Sequence, residues 1–586
     1  MAPTPALHYR VQLHDLHAHL YRVTLTIAQP SAEQLVSLPV WIPGSYLVRE
    51  FAKNLHQLQA RQGEHPVDIQ QLSKHQWQVD CQPDHPLELS YLVSAYDTSV
   101  RTAWLDQRRG FFNGTSLLLR VHGQEAQSHH VQIQASAQVP QWQLATGWAA
   151  VEVDTQGFGT YVASNYDELV DCPVEMGDFW SGSFTACGVP HRFVVAGAPA
   201  SFDGERLLRD TQKICEAEIN FWGVAPHANY VFMLNVTHDG YGGLEHCNST
   251  ALICSRPDLP RIGVDKASDG YVQLLGLISH EYFHTWNVKR LRPAELVPYN
   301  YDQENYTQLL WFFEGFTSYY DDLLLRRAGL IDNAAYLKLI TKTLNQVQQT
   351  PGRTVQSVAQ SSFDAWVKYY RQDENTANAT VSYYTKGALV AMCLDLQLRK
   401  EGQTTLDAVM RGLWQRCQGG AMTEADVLAV LHAQTGRSWQ AEIQAWVHGT
   451  DELPLRALLS AHGVQSESDK PAPAQALGLR VQESHSVLIK QVLRGGWAEQ
   501  AGMMAGDEWY GIELPSPQGP QAWRLTKLEE LDWYVARGTA HITALVARDR
   551  QLLRLPLTLP NHEPEPASNF KLSIADASAV DRWLGA

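Results

Sequence analysis

His280-Glu281-Tyr282-Phe283-His284 is the stretch on which the reading of this chain turns. Positions i and i+4 of a helix lie nearly one above the other, so two imidazoles at this spacing bind one metal ion from one helix face. The Glu beside the first His then reaches a water on that metal and serves as general base. Outward from the motif, Leu274, Leu275, Ile278 and Tyr282 follow helical spacing, and Ser268 or Asp269 supplies an N-cap. The pattern therefore falls on the late turns of an amphipathic helix. A chain of this size, with this many His and Glu residues, shows the pattern by chance in roughly one case in twenty. It needs a third ligand and a substrate site to support it.

A catalytic zinc takes three protein ligands and keeps a fourth position for water. Trp311-Phe312-Phe313-Glu314-Gly315-Phe316-Thr317 offers the third, on a second helix expected from about Asn305 to Arg327. Glu314 is the single acid of this apolar stretch, and a buried carboxylate without a cation is costly. The alternative is an exposed Glu, or one paired to Arg. Glu304 lies near the expected helix start and reads as a capping or dipole residue.

The chain as a whole sets wider bounds. Its 586 residues exceed one core and suggest about three to five domains. Lys plus Arg is 46 and Asp plus Glu is 62, a formal charge of −16 that argues against a nucleic-acid or anionic-membrane partner. No apolar run approaches the roughly 20 residues that span a bilayer. Met1 to His8 shows neither a basic nor an apolar leader region, so the cytoplasm is the expected compartment. The eight cysteines form no Cys-x-x-Cys pair, and Cys254 and Cys393 sit in apolar segments, which reads as reduced core thiols.

The pattern along the chain predicts a multidomain α+β protein. Residues 1–185 read as an N-terminal β-sandwich, with Tyr21, Val23, Leu25 and Ile27 on one face of a strand. Further short strands are expected at Ser116 to Val121 and Val131 to Ala135. After about residue 190 comes a compact strand at Tyr230 to Val236, then the two helices above. Residues 329–463 are mostly helical, with Lys386 to Lys400 and Thr423 to Gln434 the clearest pieces. Residues 464–475 read as a linker, 476–560 as a further β-rich domain, and 561–586 as a C-terminal tail that begins polar and Pro-rich.

These residues resemble a known family. His-Glu-x-x-His on one helix, with Glu inside Trp-x-x-Glu-Gly-Phe on the next, is similar to the gluzincin metallopeptidases. The strings Trp41-Ile42-Pro43-Gly44-Ser45-Tyr46, Tyr166-Asp167-Glu168-Leu169, Gly242-Gly243-Leu244-Glu245-His246 and Asn287 to Pro293 resemble the glycyl aminopeptidase family. The resemblance covers about residues 20 to 560 and implies a thermolysin-like catalytic domain over residues 186–328. It makes His280, His284 and Glu314 ligands of one Zn2+ per chain, with Glu281 as general base. Thermolysin carries an Asp four residues after its ligand Glu to brace a His; Ser318 stands there in this sequence, so the brace is left unassigned.

The substrate side follows in the same way. Gly242 and Gly243 permit close backbone approach to a ligand, and a segment after the Tyr230 strand suits pairing with an extended peptide. In the related large alanyl aminopeptidases, the Glu of a comparable Gly-x-Met-Glu-Asn string holds the substrate's free ammonium. Glu245 matches it, and an incidental turn Glu is the alternative. His246 stands where those relatives carry Asn. Tyr384-Thr385-Lys386-Gly387 resembles their Tyr-x-Lys-Gly string, whose phenol bonds the oxyanion; Tyr384 is the candidate and Tyr383 the runner-up. Arg494 to Asp507 resembles a PDZ signature, with Leu477-Gly478-Leu479 as its expected carboxylate loop and Lys527 to Val535 as its groove helix. A purely structural or regulatory domain without a peptide ligand is equally open.

The implied function is a zinc aminopeptidase removing small first residues, Gly or Ala, from peptides with a free N-terminus. A PDZ-bearing zinc endopeptidase and a non-catalytic zinc-binding scaffold are the alternatives.

Overall fold

The computed structural model describes residues 6–560 and 569–585. The part of the N-terminal reading that rests on residues 1–5, and the polar stretch 561–568, lie outside the described residues. The protein is multidomain α+β, with a β-rich N-terminal domain and a helical region. It divides into two compact units. The first takes residues up to Tyr306 with Tyr320–Ile331 and Met410–Thr423; the second takes Thr307–Tyr319, Asp332–Val409 and residues from Glu424 on.

The first unit begins with one eight-stranded and two four-stranded sheets. The alternation in Leu20–Ile27 does what a period of two dictates: Tyr21, Val23, Leu25 and Ile27 are fully buried. A single apolar core joins the three sheets. Ser116 to Val121 is not a continuous strand. Gly114–Leu117 is a short helix there, and Leu117, Leu118 and Leu119 are all buried, a run that alternation does not produce. His129 is buried on the strand His129–Ile133 with its ring stacked on Tyr9.

A five-stranded sheet follows, in the order Trp180–Ala186, Val189–Ala196, Tyr230–Thr237, Ser249–Ser255, Gly242–Glu245. Trp180–Ala186, placed by sequence in the N-terminal domain, pairs instead with Val189–Ala196. Three strands run parallel, and Gly242–Glu245 closes one side antiparallel, so it is an edge strand with one free flank. The helices Gly204–Trp222 and Asp269–Phe283 belong to this layer. Residues expected in the helical domain return to it: Ala421–Met422 pairs with Arg292–Pro293, and the Trp414 ring lies 5.8 Å from that of Trp222. None of the eight cysteines is in a disulfide.

The second unit is built around the apolar helix Thr385–Glu401. Residues 464–475, read as a linker, contain the strand Val464–Ser468, which pairs antiparallel with Phe570–Ile574 of the expected tail. The helix Ala577–Leu584 then buries Trp583, whose indole N–H donates to the Tyr319 hydroxyl at 3.3 Å. Between these strands sits a separate β-rich module with its own core around Val487, Ile489, Trp509 and Val546. The expected groove helix is two short turns, Leu528–Glu530 and Leu531–Tyr534. Among the described residues, no helix is long and apolar enough to cross a membrane.

Trp583 is 1% exposed, so the chain end is part of a core and not an appendage. Trp583→Ala is expected to cost about 3–5 kcal/mol, the usual range for emptying a buried Trp site. Thermal unfolding followed by circular dichroism checks this; an unchanged midpoint would show that the terminal helix contributes nothing.

Candidate active site

The helix Asp269–Phe283 starts where expected: Ser268 accepts the Tyr271 N–H at 3.0 Å. His284 is its last, capping residue, so the two motif imidazoles project from the final turn. The Nδ1–H of His280 donates to Asp321 Oδ2 at 3.0 Å, and that of His284 donates to the Asn287 carbonyl at 2.8 Å. Because both acceptors are oxygens without hydrogens, both rings carry their proton on Nδ1 when neutral. Their Nε2 lone pairs then face each other, 3.1 Å apart. Zinc–nitrogen bonds of about 2.0–2.1 Å opened tetrahedrally place two such nitrogens about 3.3 Å apart. The pair fits a metal ion.

The turn after the helix serves His284. Val288, a β-branched residue, is held at φ 112, a strained conformation of a kind that costs about 1–3 kcal/mol. It directly follows the Asn287 carbonyl. Lys289 then pairs with Asp171 at 2.6 Å, and Asp171 also accepts from His246 Nδ1 at 3.2 Å and from the Cys247 N–H at 2.8 Å. Burial opposes the charge of Asp171, but the Lys289 ammonium and His246 outweigh it and hold the carboxyl far below its ordinary range. His246 is therefore a buried strut behind Glu245.

Glu245 and Glu281 are each about 5% exposed or less. Both lie against a glycine. A side chain at Gly243 would collide with the Glu281 carboxylate, and one at Gly44, itself at φ 92, would collide with that of Glu245. Gly242, at φ 151, has open space beside it. Oε1 of Glu245 is buried and accepts no hydrogen bond among the described residues. His238 and Asp239 are exposed.

In the second unit, Glu314 does not lie on a helix beginning near Asn305. Asn305 turns its amide back onto the carbonyls of Asn300 and Gln303, which competes with helix formation, and Glu304 accepts from the Tyr306 hydroxyl. The helix begins at Leu310, and Glu314 joins Leu310–Phe313 to Gly315–Arg327. Gly315 meets Gly387 of the helix Thr385–Glu401 so closely that a side chain at either would strike the other's backbone. This crossing brings Glu314 near Tyr384. Burial, and then the Glu314 charge, raise the Tyr384 phenol well above its ordinary pKa, so it stays a neutral donor. Tyr383 is fully buried with its ring stacked on Tyr384 at 4.8 Å.

Within the first unit, Glu245, Glu281 and His284 have the makeup to hold a metal ion, with their ligand atoms within 4.8 Å of one another.

Residues 8–178 match the Peptidase M61 N-terminal domain, and residues 273–390 match the M61 glycyl aminopeptidase. An aminopeptidase N family protein from Idiomarina loihiensis is 37% identical and has a TM-score of 0.93, over 99% of this chain and 100% of that one. The chain belongs to the M61 glycyl aminopeptidase family. It is a peptidase of aminopeptidase type. Legionella pneumophila aminopeptidase A in complex with aspartic acid is similar in fold, with a TM-score of 0.50 at 11% identity, over 89% of this chain and 56% of that one. An M1 zinc metallopeptidase from Deinococcus radiodurans gives 0.47 at 14%, over 78% and 98%. No curated protein matches the chain.

Two residues beside the candidate side chains escape the sequence reading. Tyr369 places its ring 5.3 Å from Tyr384, and burial pushes its phenol up to about 12. Asp321 is the brace that Ser318 was too early to be. It stands seven residues after Glu314, close to two full helical turns, and so shares its helix face. Behind it, Ser279 Oγ lies 3.0 Å from Glu218 and 2.9 Å from the Asp321 carbonyl, and burial pushes the Glu218 carboxyl well above the ordinary range. Burial therefore disfavours a second negative charge there. Asp321→Ala is expected to weaken zinc binding about 10- to 100-fold, as loss of such a brace does elsewhere. Competition with a chelating dye measures it, and unchanged affinity would mean that other contacts orient His280.

Proposed function

We propose that this protein removes the N-terminal residue, Gly or Ala, from peptides with a free amine. His280, His284 and Glu314 would hold one zinc per chain. When bound, zinc supplies a Lewis acid that lowers the pKa of water and polarises the scissile carbonyl. Glu281 takes the proton from the attacking water and passes it to the leaving amine. Tyr384, kept neutral by burial, donates to the developing oxyanion.

The observation that carries the reading is the Glu245 carboxylate. It is 4% exposed, its Oε1 accepts nothing among the described residues, and its ligand atom lies within 4.8 Å of those of Glu281 and His284. An α-amine is only about 2.5 Å from its own carbonyl carbon. An ammonium on Glu245 therefore presents the first peptide bond, and no later one, to Glu281. An endopeptidase has no use for such an anchor, since interior residues carry no charged amine. Small first residues accord with the family. Residues 476–560 we read as a PDZ-like domain on the Arg494 to Asp507 pattern, and the cytoplasm as the compartment.

The test compares Ala-4-nitroanilide with its N-acetyl form, using the zinc-loaded protein. The acetylated substrate is expected to be refused, and Glu245→Ala to lower kcat/KM for the free amine about 10- to 100-fold. Glu281→Gln is expected to lower kcat about 10²- to 10⁴-fold. Equal hydrolysis of both substrates by the wild type would overturn the aminopeptidase reading.

A further inference from the structure

Arg101 comes from the N-terminal β-rich domain and reaches the edge strand Gly242–Glu245. Its Nη2 donates to the Gly243 carbonyl at 3.3 Å, a long bond. Its Nε is buried and has no partner, and no carboxylate pairs with it among the described residues. A half-buried guanidinium with five donors, one long bond and no counter-charge is an expensive arrangement. It is also a fixed one. Asn113 grips the backbone on both sides of Arg101, its side chain donating to the Val100 carbonyl at 2.7 Å and its N–H to the Thr102 carbonyl at 3.0 Å.

Position gives this cation a purpose. Glu245 lies two residues beyond Gly243 on an extended strand, a separation of about 6.6–6.8 Å. An extended dipeptide spans about the same distance from ammonium to terminal carboxylate. Laid antiparallel along the free flank, with its ammonium on Glu245, it ends at Arg101. Glu281, packed against Gly243, is then beside the single peptide bond.

We propose that Arg101 binds the terminal carboxylate of a dipeptide, which makes dipeptides with a free carboxylate the preferred substrates. The proposal rests on the amine anchor at Glu245. A planar fork matched to a carboxylate supplies the counter-charge that the protein itself withholds.

The experiment measures kcat/KM of the zinc-loaded, full-length protein on Ala-Ala, Ala-Ala-amide and acetyl-Ala-Ala. Wild type is expected to favour Ala-Ala over its amide about 10- to 100-fold. In Arg101→Met the ratio falls to near one, and in Arg101→Lys part of it survives. A wild-type ratio near one, or a ratio unchanged in Arg101→Met, overturns the proposal; the wild-type result stands even if a variant fails to fold. If Ala-Asp-amide matches Ala-Ala in the wild type and loses that parity in Arg101→Met, Arg101 reads an acidic side chain and the proposal is overturned. Acetyl-Ala-Ala separates the two readings. Its hydrolysis at the Ala-Ala rate defeats the amine anchor, whereas its refusal with an acid-to-amide ratio near one defeats Arg101 alone.

Discussion

Two imidazole nitrogens that face each other with lone pairs at 3.1 Å repel unless a cation lies against both. Most of the surrounding fold exists to hold them so. Each ring has its other nitrogen committed, one to a carboxylate and one to a backbone carbonyl, so neither can turn away or change tautomer without losing a bond. The carbonyl is aimed by a strained Val288, and the strain is stored beside the site, where it fixes the ring. The carboxylate, Asp321, is backed by Glu218, whose carboxyl burial pushes well above its ordinary range, which disfavours a second negative charge behind His280. A metal ion against both nitrogens turns this repulsive pair into a favourable arrangement.

Absent side chains set the remaining distances. Gly243 lets Glu281 press against the edge strand, Gly44 lets a turn of the N-terminal domain press against Glu245, and Gly315 with Gly387 lets two helices cross at backbone contact beside Glu314. Each of these glycines lies in one of the motif strings, beside Ser45, Leu244, Glu314 or Lys386. The strings carry the closeness as much as the chemistry: a methyl group at any of the four positions moves a carboxylate or a helix before it touches substrate.

The His280 to His284 helix was legible in the sequence because its spacing, its apolar face and its Ser268 cap are all local. Glu314 was legible for a different reason, as one acid in a run too apolar to leave it in water. The start of its helix was misplaced because Asn305 satisfies nearby carbonyls instead of capping, a choice that propensity does not reveal. Asp321 was hidden by its neighbour Asp322 and by an expectation fixed on one turn when the brace needs two. The strand Val464–Ser468 was hidden more deeply. Its pattern is polar, and its partner lies about a hundred residues on, so no window along the chain contains the evidence for it.

The position of Gly44 changes how the β-rich domain is to be understood. A metal site with a general base cuts any peptide bond that reaches it; what makes it count from one end is a fixed negative charge one residue away. In the proposed function that charge is Glu245, on the sheet domain that carries the motif, and the surface against which it packs belongs to a turn about two hundred residues earlier. The same domain sends Arg101 to the other end of the same short strand. In the proposed function hydrolysis and selectivity have separate origins in the chain, the first in the His280 to His284 helix and the second in the joint between that helix's sheet and the domain before it. Divergence in substrate range within the family is then to be sought in the turns at Gly44 and Arg101, while the metal helix stays as it is.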